Sequence, residues 1–214
     1  MRVLLASGSA HKLTELRRIL EAHSISAEVV GLSDVDPYPE PIESGSTFEE
    51  NALIKAREGF TRTGLVTLAD DSGIEVDVLN RMPGVRSARW AGTHAKDGDN
   101  LELLIRQIDD VDQDRRTARF VCAMALVWSS GEQVLRGVVE GTLETVPRGT
   151  HGFGYDPIFV PVGETRTTAE MSDEEKDAIS HRGRALRQMI PHIEALDQQG
   201  TRDASALSQL VKES

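Results

Sequence analysis

Hydrophobic and polar positions along this chain change rhythm several times, and each change predicts an element. Residues 2–6 (Arg-Val-Leu-Leu-Ala) run apolar without alternation, as a strand buried on both faces does. Over residues 10–23, Leu13, Leu16, Ile19 and Leu20 recur at helical spacing. Val29-Val30 predicts a short strand, and residues 34–45, with three prolines and four acidic residues, predict a loop too long to be a mere connector. Ser46 or Thr47 then caps a helix, with Glu49 and Glu50 in its first turn and Phe48, Ala52, Ile54 and Ala56 along it to about Thr61. Residues 65–69 and 74–78 read as two strands, with Asp70-Asp71-Ser72-Gly73 as a turn between them.

Residues 80–98, rich in Gly, Pro and Arg, read as a loop, and 100–108 as a helix. Residues 119–129 and 133–145 form a long hairpin around Ser130-Gly131. A loop with three glycines covers 147–154, and Leu186, Ile190 and Ile193 mark a helix over 182–196. From Gln198 the chain turns polar, a tail with a short helix at 205–212. Interleaved strands and helices with one long hairpin predict an α/β fold: a mixed twisted sheet flanked by helices, with an active site in a central cleft. One domain over 1–197 and a tail over 198–214 are expected.

Composition narrows the function classes. No apolar run approaches the ~20 residues that cross a bilayer, so no membrane partner is expected. Residues 1–6 read as a strand and not as a signal peptide. The single Cys122 excludes an internal disulfide and lies in an apolar run as a small core residue, which fits a cytoplasmic protein. A net charge of −11 argues against nucleic-acid binding, which relies on clustered cations. It leaves room for a small phosphorylated substrate, which a few local cations and a helix amino terminus can hold.

Asp70-Asp71 beside apolar strands is the most informative stretch. Buried charges must be paired or bind metal, and neighbours on a strand face opposite ways, so the two carboxylates are expected to do different jobs. An oxygen-only cluster suits Mg²⁺. Ser7-Gly8-Ser9-Ala10-His11-Lys12 joins a strand to a helix and forms an anion site of helix N–H groups plus a lysine. Glu43 precedes the helix that carries Lys55. In Gly152-Phe153-Gly154-Tyr155-Asp156-Pro157 the glycines allow close approach, and an exposed Phe153 can stack on a base. Lys176 and Ser180-His181-Arg182 precede the last helix, as donors to a carbonyl or phosphate. Taken singly, each reads equally well as ordinary capping, a plugged turn or solvated charge.

Together, Ser-Gly-x-x-x-Lys at 7–12, Glu-x-Gly-x-Thr-Phe-x-Glu-Asn-Ala at 43–52, Pro-Gly-Val-x-Ser-Ala-Arg at 83–89, Ala-Asp-Asp-Ser-Gly at 69–73, Phe-Gly-Tyr-Asp-Pro at 153–157 and Ser-His-Arg at 180–182 resemble the inosine triphosphate pyrophosphatase family. These are the bacterial house-cleaning dITP/XTP pyrophosphatases, and the likeness spans about residues 1–196. Ser9 departs from the Asn usual at that position. The opening Leu-Ala-Ser-Gly-Ser is also similar to the Maf nucleotide pyrophosphatases, whose later motifs do not fit.

The resemblance implies hydrolysis of ITP, dITP or XTP between the α and β phosphates, with Mg²⁺ as cofactor and a homodimer as the assembly. It implies Asp71 as metal ligand and base or water-orienter, Glu43 as second ligand, and Asp70 sharing one of these roles. Lys12, Lys55 and Lys176 would stabilise the triphosphate, with residues 7–12 and Ser72 binding substrate. Phe153 would stack on the base beside Gly154, Tyr155 and Asp156, while His181 and Arg182 donate to its 6-oxo group. The competing readings are a Maf-like pyrophosphatase and a catalytically silent nucleotide-binding protein.

Overall fold

A computed structural model describes residues 1–8, 10–22 and 27–212, the side chains of 10, 11, 15, 22 and 199–212 excepted. The expectations for Ser9 and for the His11 side chain therefore lie outside the described residues. Seven strands form one sheet in the order β2-β1-β3-β5-β6-β7, with β4 paired to β3. The strands are β1 (Arg2–Leu5), β2 (Glu28–Val30), β3 (Val66–Val76), β4 (Met82–Pro83), β5 (Thr117–Trp128), β6 (Gly131–Leu143) and β7 (Phe159–Pro161). β1 runs parallel to β2 and β3, and every other pairing is antiparallel. The sheet is mixed and helix-flanked, as the hydrophobic pattern requires.

Among the described residues there are five α-helices: α1 (Ala10–Ala22), α2 (Phe48–Thr63), α3 (Asp97–Ile108), α4 (Asp173–Ile179) and α5 (His181–Lys212). Leu68, Cys122, Met124 and Leu126 face Leu16, Ile19 and Leu20 of α1 and Leu186, Met189 and Ile193 of α5. The alternate residues Ala69, Val121, Ala123, Ala125 and Val127 face Phe48, Ala52 and Ala56 of α2. This is the period-2 partition of a sheet covered on both faces. Among the described residues, no helix is long and apolar enough to cross a membrane.

Three expectations change. Residues 70–73 are not a turn: β3 passes straight through them, each paired with β5 from Thr67↔Val127 to Val76↔Ala118. Gly73 is needed for close approach and not for a bend, since a Cβ there would lie 2.3 Å from the Ser87 hydroxyl and 2.7 Å from the Gly84 carbonyl oxygen. Residues 80–98 are not a plain loop, because they hold β4, a 3₁₀ segment over Gly84–Arg89 and the start of α3. Helix α5 does not stop near Leu196; its backbone continues to Lys212 through residues read as tail, while the short α4 precedes it. Pro191 lies inside α5, and Thr47 caps α2 by accepting from the Glu50 amide at 3.1 Å.

Candidate active site

β1 leaves β3 after Leu5↔Leu68, and β4 joins β3 only at Glu75↔Pro83. Between those points the β3 edge away from β5 has no strand beside it, and this notch lies at Asp70–Gly73. The turn after β1 closes one end, where the Ala6 amide donates to the Leu68 carbonyl at 2.8 Å. Ser87 closes the other, its hydroxyl accepting from the Ile74 amide at 2.9 Å.

Asp70 and Asp71 exploit those two faces. Asp70, 2% exposed, accepts from Lys12 Nζ of α1 at 2.9 Å and Arg182 Nε of α5 at 3.3 Å. Arg182 Nη2 also donates to Ser72 Oγ at 3.2 Å. Burial pulls the Asp70 carboxyl upward, but Lys12 and Arg182 outweigh it and hold the group well below the usual carboxylate range. Two cations thus lock Asp70, and the carboxylate of the pair that lies nearest another carboxylate, Glu43, is Asp71.

Asp71 faces α2. Its Oδ2 accepts from Asn51 Nδ2 at 3.1 Å and its Oδ1 from Lys55 Nζ at 3.3 Å. The same Lys55 Nζ donates to Glu43 Oε1 at 2.9 Å, while Arg89 Nη1 reaches Glu43 Oε2 at 3.2 Å. Burial and, after the opposing pull of Lys55, the neighbouring Glu43 charge raise the Asp71 carboxyl above its ordinary value. Burial also pushes the Glu43 carboxyl up, but Lys55 and Arg89 bring it below normal. Burial works against the Lys55 charge, and Asp71, Asp70 and Glu43 together keep the ammonium favoured.

On the α1 and α5 face, a cleft of about 580 Å³ opens from Ser72 and Gly73 toward Phe153, Lys176, His181 and Arg182. Phe153 is 49% exposed at its wall, with Lys176 Nζ 5.2 Å from its ring centroid. His181 is stacked on Phe120 with centroids 4.9 Å apart and ring planes 15° apart. Burial, then the charges of Arg182 and Lys176, push the His181 imidazole well below its ordinary value, so it is neutral and keeps one donor and one acceptor.

The structure brings together most of the expected site residues, in two groups. Lys12, Lys55, Glu43, Asp71 and Ser72 gather at the notch, while Phe153, Gly154, Tyr155, Asp156, Lys176, His181 and Arg182 gather around the cleft. Ser7 and Gly8 lie beyond the end of β1, and a Cβ on Gly8 would lie 3.1 Å from Glu40 of the 34–45 loop. Ala10 begins α1, where its backbone contributes to the helix amino terminus. Lys176 sits beside Phe153 on Asp156, not with the other two lysines. Tyr155 is buried and its hydroxyl donates to the Ser87 carbonyl at 2.8 Å.

Sequence reasoning passed over Asn51 and Arg89, which hold Asp71 and Glu43, and Phe120, which backs His181. Asn51 had a signal, its place in the Glu-Asn-Ala of the 43–52 motif; in the fold it is buried and its Oδ1 accepts from the Gly45 amide at 2.8 Å. Arg89 and Phe120 meet their partners only through the fold.

An exposed aromatic ring with neutral and cationic donors lines the cleft on one face of β3, and lysine with carboxylates lies on the other. The Ham1 family profile matches residues 3–192. The chain is 56% identical over 197 residues to a dITP/XTP pyrophosphatase of Nocardia farcinica, covering 91% of this chain and 96% of that one. It is 53% identical over 198 residues to a dITP/XTP pyrophosphatase of Mycobacteroides abscessus, covering 92% and 96%. The solved structure of a nucleoside-triphosphatase / dITP/XTP pyrophosphatase from Mycobacterium abscessus superposes with a TM-score of 0.74 at 54% identity, over 89% of this chain and all of that one. A HAM1 protein from Coxiella burnetii superposes with a TM-score of 0.83 at 39% identity, over 92% and 99%. The chain belongs to the Ham1 family.

Proposed function

We propose that this protein hydrolyses 6-oxo purine nucleoside triphosphates (ITP, dITP and XTP) to the monophosphate and pyrophosphate, and so clears them from the nucleotide pool. The observation that carries the reading is the notch at Asp70–Gly73, which has the Phe153 cleft on one face of β3 and Lys55 with Asp71 on the other, the two groups that a nucleotide's base and phosphates would each need. The names and 53–56% identity of the relatives support the same activity. We assign it to residues 1–197.

Glu43 and Asp71 fit a hard divalent cation. They are a buried and a partly buried carboxylate that share the positive charge of Lys55, and Mg²⁺ usually takes one or two carboxylates and completes its shell with water and phosphate oxygens. Bound there, Mg²⁺ would neutralise charge developing on the phosphate oxygens. Among the described residues there is no group of three or more His, Cys, Asp or Glu to form an all-protein cage.

The chain's own residues supply the rest. Asp71, held by Asn51 and Lys55, orients the attacking water and takes its proton as it adds to the α-phosphorus. Lys55 stays close to the transferring phosphoryl group, and its fixed ammonium is the kind of preorganised charge that stabilises such transition states. Lys12 serves the phosphate end, oriented by Asp70. Phe153 stacks on the purine, while His181 and Arg182 donate to its 6-oxo group. Adenine presents an amino donor at that position, where the 6-oxo group offers an acceptor, and this mismatch is the basis for rejecting ATP.

The test is product identification by phosphorus NMR after turnover of ITP in ¹⁸O-labelled water. Inosine monophosphate carrying the label, with unlabelled pyrophosphate, supports the reading; label in the pyrophosphate would place the attack on the β-phosphorus instead. Inosine diphosphate and orthophosphate refute cleavage between the α and β phosphates.

A further inference from the structure

Asp156 belongs to the expected substrate contacts, yet the structure buries it to 2% exposure and occupies both of its oxygens. Oδ2 accepts from the Phe153 amide at 2.8 Å and from the Lys176 ammonium, whose Nζ sits over the Phe153 ring. Oδ1 accepts from the Thr168 hydroxyl at 2.7 Å. A carboxylate so placed holds the stacking ring and its lysine in register, and its own orientation depends on the donor at Oδ1.

That donor comes from the 3₁₀ segment Thr168–Glu170, which serves as a mould for the whole Phe153 loop. The Ala169 carbonyl accepts from the amides of Thr150 and His151, each at 3.0 Å. Thr167 Oγ1 donates to the Arg148 carbonyl at 2.9 Å, and Glu170 Oε2 accepts from the Thr167 amide at 2.8 Å. Gly149, at φ +81°, lies so close that a Cβ would come within 2.2 Å of the Ala169 oxygen. Gly152, at φ +74°, would drive a Cβ to 2.1 Å from Asp156 Oδ2. The glycines of this loop thus answer the contour of residues 167–170 and the Asp156 carboxylate.

We propose that Thr168 is a positioning residue for the purine end of the site: its hydroxyl fixes the Asp156 carboxylate, which holds Phe153 and Lys176 in stacking position. Thr168 touches no substrate in this account, which rests on the nucleotide reading above. The loss of Thr168's hydroxyl leaves a buried carboxylate oxygen without its donor, and that costs more than an exposed hydrogen bond. The cost falls on base binding, because Asp71 and Lys55 lie at the notch and share no contact with Asp156.

The test compares T168V, which keeps the shape without the donor, with T168S, which keeps the donor; T168A replaces T168V if the valine variant does not fold. KM for ITP is expected to rise about tenfold in T168V, with kcat within about twofold, and to return to the wild-type value in T168S. Amide hydrogen exchange over residues 150–156 is expected to quicken in T168V and return to wild type in T168S. Unchanged KM in T168V, an equal loss in T168S, or unchanged exchange overturns the proposal. The exchange measurement needs no turnover, so a wild-type protein inactive on 6-oxo purine triphosphates sinks the activity reading alone, and exchange still decides the role of Thr168.

Discussion

Asp70 and Asp71 are consecutive residues of one strand held by different cations on opposite faces of the sheet. Lys12 and Arg182 clamp the first, Lys55 and Asn51 hold the second. The pairing separates structure from chemistry. Asp70 ties Lys12 of α1 to Arg182 of α5, and Asp71 lies beside Glu43.

The two Asn substitutions should therefore part company. Asp71→Asn removes a charge that Glu43 opposes, so the protein stays folded while turnover falls by about 10²–10⁴. Asp70→Asn strands Lys12 and Arg182 beside a neutral amide, and breaking a buried ion cluster in this way costs about 3–5 kcal/mol. Thermal melting beside steady-state kinetics checks both. Normal turnover in Asp71→Asn, or unchanged melting in Asp70→Asn, contradicts the assignment.

Phe153 is half exposed and supports little of the core, so Phe153→Ala should leave melting close to wild type. Stacking on a base is worth about 1–3 kcal/mol, which places the rise in KM for ITP at roughly five- to 150-fold. A KM equal to that of the wild type would show that the ring does not meet the base.

His181 predicts a pH dependence of stability. Its imidazole titrates well below the unfolded value of about 6.5, because burial and the nearby Arg182 and Lys176 charges disfavour the imidazolium. Between the two values the unfolded chain binds more protons, so the stabilisation is present above about pH 6.5 and is lost as pH falls toward the folded value. The melting temperature should drop from about pH 7.5 to about pH 5, and His181→Gln should flatten that slope. Parallel melting curves for the two proteins would remove His181 as the cause.

Much of this was legible in the chain. The apolar run at 2–6, the Thr47 cap with Glu50 and the hairpin around Ser130-Gly131 are local signals, and local chemistry settles them. The continuity of β3 was not legible, because Asp, Ser and Gly favour a turn. Residue-by-residue pairing with β5 overrides that preference, and cations arriving from α1, α2 and α5 remove the charge penalty. For the same reason the division of labour between Asp70 and Asp71 could be expected from strand alternation, but their partners could not. The Lys176 position and the part played by Thr168 depend on residues 12 to 20 positions away from Asp156, joined only by tertiary folding.

Pyrophosphate release from ITP, XTP, GTP, ATP and dTTP, each with Mg²⁺ and with EDTA, tests the central claim most directly. The account predicts release that depends on Mg²⁺ and is confined mainly to ITP and XTP. Release from dTTP with ITP ignored, or no release from any of the five, would contradict it.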